Sequence, residues 1–151
     1  MKISKPILRF GPGGVPTSTK QIKDPETGKK LDLRHSAIYR LSELKLNHME
    51  IEFVHGVRIK EEDARHLGEL GKEHDISLTI HGSYYINLAS KEEPKYYASI
   101  NRVKKAITAG HWIGSPSVTF HPAYYQGRSP EETTQKVKEA LASVYADRKL
   151  E

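Results

Sequence analysis

Short strand-like runs and amphipathic helical stretches alternate four times along this chain of 151 residues. No other feature constrains the fold as much. Consecutive strand–helix units pair their strands in parallel and connect them by right-handed crossovers. Ile7-Leu8-Arg9-Phe10 reads as the first strand, closed by the Gly11-Pro12-Gly13-Gly14 turn. Residues 15–34 show no clear period, and Asp24-Pro25-Glu26-Thr27-Gly28 reads as a turn inside a polar loop. A helix follows over residues 36–46, with Ser36 as N-cap and Ala37, Leu41 and Leu44 on one face. Residues 49–54 form the second strand. The second helix spans 60–74, with Glu61, Glu62 and Asp63 in its first turn and Ala64, Leu67 and Leu70 as its apolar stripe. Gly68 and Gly71 weaken its intrinsic helicity. The third strand, 76–80, ends at His81, and a helix over 94–113 follows with Tyr97, Ile100, Val103 and Ile107 facing the core. The fourth strand, 117–120, ends at His121. Ser129-Pro130-Glu131-Glu132 then opens the last helix, with serine as N-cap and proline at N1.

This is an α/β chain. An eight-unit barrel takes ~250 residues, so four units make about half of one, or a small open parallel sheet. Residues 1–151 are expected to form one domain, the N-terminal half of a barrel. Two raw sheet edges are an aggregation hazard, which predicts poor stability or self-association that covers them. No stretch approaches the ~20 apolar residues of a membrane span. Lys2, Lys5 and Arg9 interrupt the N-terminal segment, so no secretory signal is expected and a cytosolic (cytoplasmic) home fits. The chain has no cysteine, which excludes disulfides, a thiolate nucleophile and cysteine-ligated zinc. Net charge is +5, with ten Lys/Arg against five Asp/Glu in residues 1–50. That balance is compatible with a polyanionic partner and equally with an ordinary surface.

His81 and His121 stand out by position. Each follows a strand, at the carboxyl end where active sites of parallel α/β folds assemble. Two adjacent strands would bring both imidazoles to one rim, within reach of one metal ion or one phosphate. A single such histidine is more often a hydrogen-bonded loop residue; two at equivalent places make the functional reading about as good. Two alone do not close a four-coordinate zinc site. Six of eight tyrosines occur as doublets, and Tyr84-Tyr85 and Tyr124-Tyr125 each follow one of these histidines by three residues. Such rings can stack on a base or sugar, or pack on a loop surface. Gly11-Pro12-Gly13-Gly14 lacks the pattern of a phosphate loop and reads as a plain βα turn. His55 lies on the same rim and could touch a phosphate, with loop surface as its default. The remaining histidines, His35 among them, read as surface. Glu50 and Glu52 share one strand face, by default as a solvated or salt-bridged pair.

His81-Gly82-Ser83-Tyr84-Tyr85-Ile86-Asn87-Leu88 resembles the H-x-x-Y-x-I-N-L motif of the endonuclease IV family. Phe120-His121-Pro122 resembles that family's F-H-P-G motif at a fitting distance, with Ala123 where the family has glycine. Phe10 to Pro16 is similar to the first loop of its archaeal-type members. Glu52-Phe53-Val54-His55-Gly56-Val57 is similar to their second-strand end, where arginine commonly replaces His55. The resemblance implies a (β/α)8 TIM barrel with a trinuclear zinc cluster that cuts DNA 5′ to abasic sites. It implies His81 and His121 as ligands of one zinc, Tyr84 as the aromatic inserted beside the flipped nucleotide, and Tyr85 next to it. His55 or Arg58 would be a weak phosphate contact. The family's later ligands, a glutamate after the fifth strand and further Asp, His and Glu residues, have no counterpart before Glu151, so a fragment of a longer barrel or a truncated reading frame is expected. One rival is a metal-dependent sugar isomerase or epimerase on the same barrel, against which the I-N-L motif speaks. The other is a non-catalytic half-barrel that binds DNA or assembles with a second chain.

Overall fold

The computed structural model describes residues 8–147. Its elements run α1 (Leu33–Glu43), β1 (His48–Glu52), α2 (Glu61–Glu73), β2 (Ser77–His81), α3 (Glu93–Ile113), β3 (Val118–Thr119) and α4 (Pro130–Tyr145). The three strands form one parallel sheet in the order β1-β2-β3. Each pair of neighbours is linked through a helix, as the alternating pattern requires. Among the described residues no helix is long and apolar enough to cross a membrane.

The expected first strand is corrected. Ile7 lies outside the described residues, and residues 8–10 are not strand. The segment 10–14 nevertheless tracks β1. The Asn47 amide donates to Phe10 O (3.1 Å), the Glu50 amide to Pro12 O (3.0 Å), and the Gly14 amide to Glu50 O (2.8 Å). Pro12 has no N–H to give a ladder. Gly11 is pressed so close that a Cβ there would sit 1.6 Å from His48 O. The strand's place is therefore held by an irregular strip of backbone, which the Asn47 side chain fastens by accepting from the Phe10 amide (2.7 Å) and donating to Leu8 O (3.2 Å).

Helix α1 starts three residues earlier than its expected cap. Asp32 is the true N-cap, and its carboxylate accepts from the Arg34 and His35 amides at 2.8 and 3.0 Å. Ser36 lies buried one turn inside, where its hydroxyl donates to Asp32 O (2.8 Å) and accepts from the Ile22 amide (3.2 Å). The polar loop before α1 is thereby tied to it. His35 is not a surface residue: it is 4% exposed, and its Nδ1 pairs with Asp32 at 2.9 Å. Burial opposes the charge on Asp32. Hydrogen bonds from the His35 ring and amide, with the Arg34 charge, outweigh it and hold the carboxyl well below its ordinary range. Helix α4 opens as expected, with the reciprocal Ser129–Glu132 capping box.

The described residues form two apolar clusters, the first of which follows from the strand alternation. Met49, Ile51, Leu78 and Ile80 project from the sheet onto Ala37, Ile38 and Leu41 of α1, Ala64 and Leu67 of α2, and Ala106 and Ala109 of α3. The second cluster joins Ile86 and Leu88, from the loop after β2, to Ile100 and Val103 of α3 and Ala140 and Val144 of α4. Tyr97, expected in the core, is 55% exposed, and its neighbour Tyr96 packs on the second cluster instead. The α2 glycines are close-packing sites. A Cβ on Gly68 would lie 2.1 Å from Ile113 O, and one on Gly71 3.0 Å from Leu78 Cδ1.

Gly68→Ala sets two effects against each other. Alanine gains up to about 1 kcal/mol in helix propensity, while overpacking costs about 1–3 kcal/mol. The obstacle is backbone, which cannot swing aside, so urea unfolding should show a net loss of about 1–2 kcal/mol. A rise in stability would contradict the α2–α3 packing described. Asp32 generates a second expectation. Its depressed pKa makes a contribution that is complete above the unfolded carboxylate value of ~3.9 and is lost as pH falls below it. Asp32→Asn keeps a capping side chain, so acid unfolding followed by circular dichroism should show lower stability at neutral pH and a flatter decline below pH ~4. An unchanged acid limb would rule out Asp32 as its source.

Candidate functional site

Register decides which side chains meet. Glu52 pairs with His81 across β1 and β2, and His81 with Thr119 across β2 and β3. Successive residues of a strand face opposite sides. With Met49, Ile51, Leu78 and Ile80 committed to the helices, the other face carries His48, Glu50 and Glu52 from β1, Ser77, Thr79 and His81 from β2, and Thr119 from β3. That face is polar throughout. Glu50 and Glu52, expected as a solvated or salt-bridged pair, form no ion pair among the described residues. The Glu52 carboxylate lies against the first glycine turn, where a Cβ on Gly13 or Gly14 would be 3.2 Å from one of its oxygens. The signal for this placement was present in the sequence: the glutamates run out of phase with Met49, Ile51 and Phe53.

His81 and His121 do meet at the carboxyl rim, with ring centroids 5.2 Å apart. The His81 Nδ1 lies 2.9 Å from Gly82 O. A carbonyl only accepts, so Nδ1 carries the hydrogen and Nε2 of the neutral ring keeps its lone pair, as metal-ligating histidines do. Tyr84 closes a three-ring cluster. It stacks on His121 at 5.7 Å and 27°, and its centroid is 5.5 Å from His81. Tyr85 belongs to a second group, with His55 at 6.0 Å and the Arg102 guanidinium 5.9 Å from its ring centroid. Arg58 is exposed and forms no ion pair among the described residues. Among those residues no group of three or more His, Asp or Glu is placed to hold a metal. Two imidazoles alone do not close a four-coordinate zinc site.

The loops that carry these residues are bonded to one another. The Gly82 amide donates to Thr119 O (2.7 Å), the Leu88 amide to Pro122 O (2.8 Å), and the Ser83 hydroxyl to Val54 O (3.0 Å). Asn87 accepts at its side-chain oxygen from the Ala89 amide on its own loop and the Tyr124 amide on the next, both at 3.3 Å. Ile86 and Leu88 on either side are fully buried. The Ile-Asn-Leu motif thus pins one loop to the core and clamps it to its neighbour, a role that composition and spacing left unread.

A model of the xylose isomerase-like TIM barrel family matches residues 38–150. An uncharacterised protein of Methanocaldococcus jannaschii is 36% identical over 138 residues, which is 91% of this chain and 45% of that protein. A probable endonuclease 4 of Thermoplasma volcanium is 33% identical over 87 residues, 57% of this chain and 30% of that protein. Among solved structures, a D-psicose 3-epimerase superposes with a TM-score of 0.60 at 14% identity, covering 73% of this chain and 41% of that one. Endonuclease IV from Thermus thermophilus superposes with a TM-score of 0.54 at 21% identity, covering 74% and 42%. At such identities the structural likeness speaks for the fold alone. This chain spans less than half the length of either curated relative. A parallel sheet flanked by helices, a polar strand face and a family match over three-quarters of the sequence agree: the chain belongs to the xylose isomerase-like TIM barrel family, of which it is a partial barrel.

Proposed function

We propose that this chain is the N-terminal half of a zinc-dependent endonuclease that cuts the DNA backbone 5′ to abasic sites. The observation that carries the reading is the ring cluster at the rim: two imidazoles, one with a nitrogen left free by its bond to Gly82, beside the partly exposed Tyr84. The likeness to a probable endonuclease 4 over 87 residues supports it.

In this reading His81 and His121 donate two nitrogens to one zinc, and the other donors come from outside the described residues. Bound zinc would supply hydroxide at neutral pH and neutralise the phosphodiester. The described residues hold too few donors for a cluster, so their own contribution lies in binding and orientation. The Gly82 carbonyl holds His81 in the tautomer that leaves Nε2 free. Tyr84 offers a face to the bases beside an abasic nucleotide, which is cheap to extrude because it has no base to unpair. Arg58, always charged, and His55, when protonated, offer phosphate contacts on the same rim. A second reading, a sugar epimerase, draws on the hydrogen-bonding groups of His48, Glu50, Glu52 and Thr79 on the inner strand face. A third, a half-barrel that binds DNA without cutting it, draws on the missing donors.

The test uses the full-length protein and a duplex with one abasic site. Nicking should be abolished by EDTA and restored by zinc. His81→Ala or His121→Ala should lower it by more than about 100-fold, since changes to groups that merely orient metal ligands already cost 10–100-fold. Zinc content, measured by mass spectrometry, should fall in both variants. Tyr84→Ala should weaken abasic-duplex binding by about 10-fold. Metal-independent binding without nicking would favour the half-barrel, and turnover of a ketohexose without nicking would favour the epimerase.

A further inference from the structure

The proposed reading leaves one part of the rim unused. Tyr124 and Tyr125 follow His121 on the loop after β3, and each is 59% exposed. Neither ring has an aromatic partner among the described residues. Two adjacent large rings held in water are costly unless something covers them. The backbone beneath them is hydrogen-bonded on both sides. The Arg128 amide donates to Tyr125 O at 2.9 Å, closing a turn over Gln126 and Gly127. Both central residues have positive φ, +50° and +78°, the type I′ pattern. Glutamine adopts that region at a cost. The Arg128 guanidinium, donating to Ala89 O, holds the turn against the preceding loop. Tyr124 is tied from the other side, its backbone amide donating to Asn87 Oδ1. The doublet is therefore presented, not merely exposed.

One cation stands beside its turn. A Cβ on Gly127 would lie 3.9 Å from the Lys91 ammonium, and Lys91 forms no ion pair among the described residues. Arg102 sits over Tyr85 on the adjoining loop. Four exposed tyrosines thus stand on two bonded loops, flanked by Lys91 and Arg102. Successive aromatic faces beside a cationic track are what unpaired bases need, because every base has a π-face to stack and a phosphate to neutralise. Paired bases keep those faces inside the helix.

We propose that Tyr124 and Tyr125 form a stacking platform for unpaired bases, so that the rim binds single-stranded DNA, with little sequence preference, beside His81 and His121. This rests on the DNA reading above and extends it from a single inserted aromatic to a strand-holding surface. Presentation on a hydrogen-bonded backbone removes part of the ordering cost of binding.

The probe is a 12-nucleotide oligothymidylate, fluorescein-labelled for affinity and carrying one 2-aminopurine to report stacking, titrated into the full-length protein. Wild type should bind it and quench the 2-aminopurine. Tyr124→Ala/Tyr125→Ala should weaken binding by about 10-fold or more and lose the quenching. Tyr124→Phe/Tyr125→Phe should retain both, since the ring face remains. Tyr124→Leu/Tyr125→Leu keeps apolar bulk without the π-face and should behave like the alanine pair, which covers the case in which the alanine pair folds poorly. Equal binding by wild type and the leucine pair overturns the platform. If abasic duplex still binds in a Tyr84-dependent way, the DNA reading survives that result. If wild type binds neither the single strand nor the abasic duplex, both fall together.

Discussion

The ladder between β1 and β2 holds this molecule's chemistry in place. Five residue pairs, from His48↔Ser77 to Glu52↔His81, lock the two strands in one register. A slip by one residue would turn Met49, Ile51, Leu78 and Ile80 toward water and drive Glu50, Glu52 and His81 into the helices. Burying an unpaired carboxylate is prohibitive beside the ~0.8 kcal/mol gained per buried CH₂, so only the observed register is tolerable. The same alternation that builds the core therefore builds the polar face and delivers His81 to the rim.

A second framework lies beyond the strand ends. Ile86 and Leu88 are buried as deeply as any strand residue although they belong to a loop. Their burial lets Asn87 reach the following loop, while Gly82 and Leu88 bond backbone to backbone with Thr119 and Pro122. The loops after β2 and β3 behave as one body carrying His81, Tyr84, His121 and Tyr124. Positioned donors lower the ordering cost of whatever binds there. Among the described residues His81 and His121 have no third His, Asp or Glu placed with them to hold a metal. The chain spans less than half the length of the curated relatives it matches.

Much of this was legible along the chain. The period of α2, the capping box at Ser129, and the meeting of His81 with His121 all follow from local patterns that tertiary packing respects. The misreadings share a cause. Residues 8–10 carry the composition of a strand, yet Pro12 and the pressure of His48 O on Gly11 deny them a regular ladder. Ser36 has the right chemistry for a cap, but Asp32 takes that place and gains His35 and Arg34 as partners. Tyr97 and Tyr96 are indistinguishable by type, and only the position of the second cluster buries one and exposes the other.

The sequence by itself determined the class of fold and the rim on which its histidines stand. Strand alternation, helix periodicity and strand-end position are local, and each is enforced within a few residues by burial or hydrogen bonding. Tertiary structure alone decided which groups touch. Strand register set Glu52 opposite His81, the buried Ile-Asn-Leu loop joined Tyr124 to the first site, and a positive-φ turn fixed Tyr125 in the open. The first two outcomes depend on contacts between residues tens of positions apart, whose geometry no local pattern encodes; the third is a local turn.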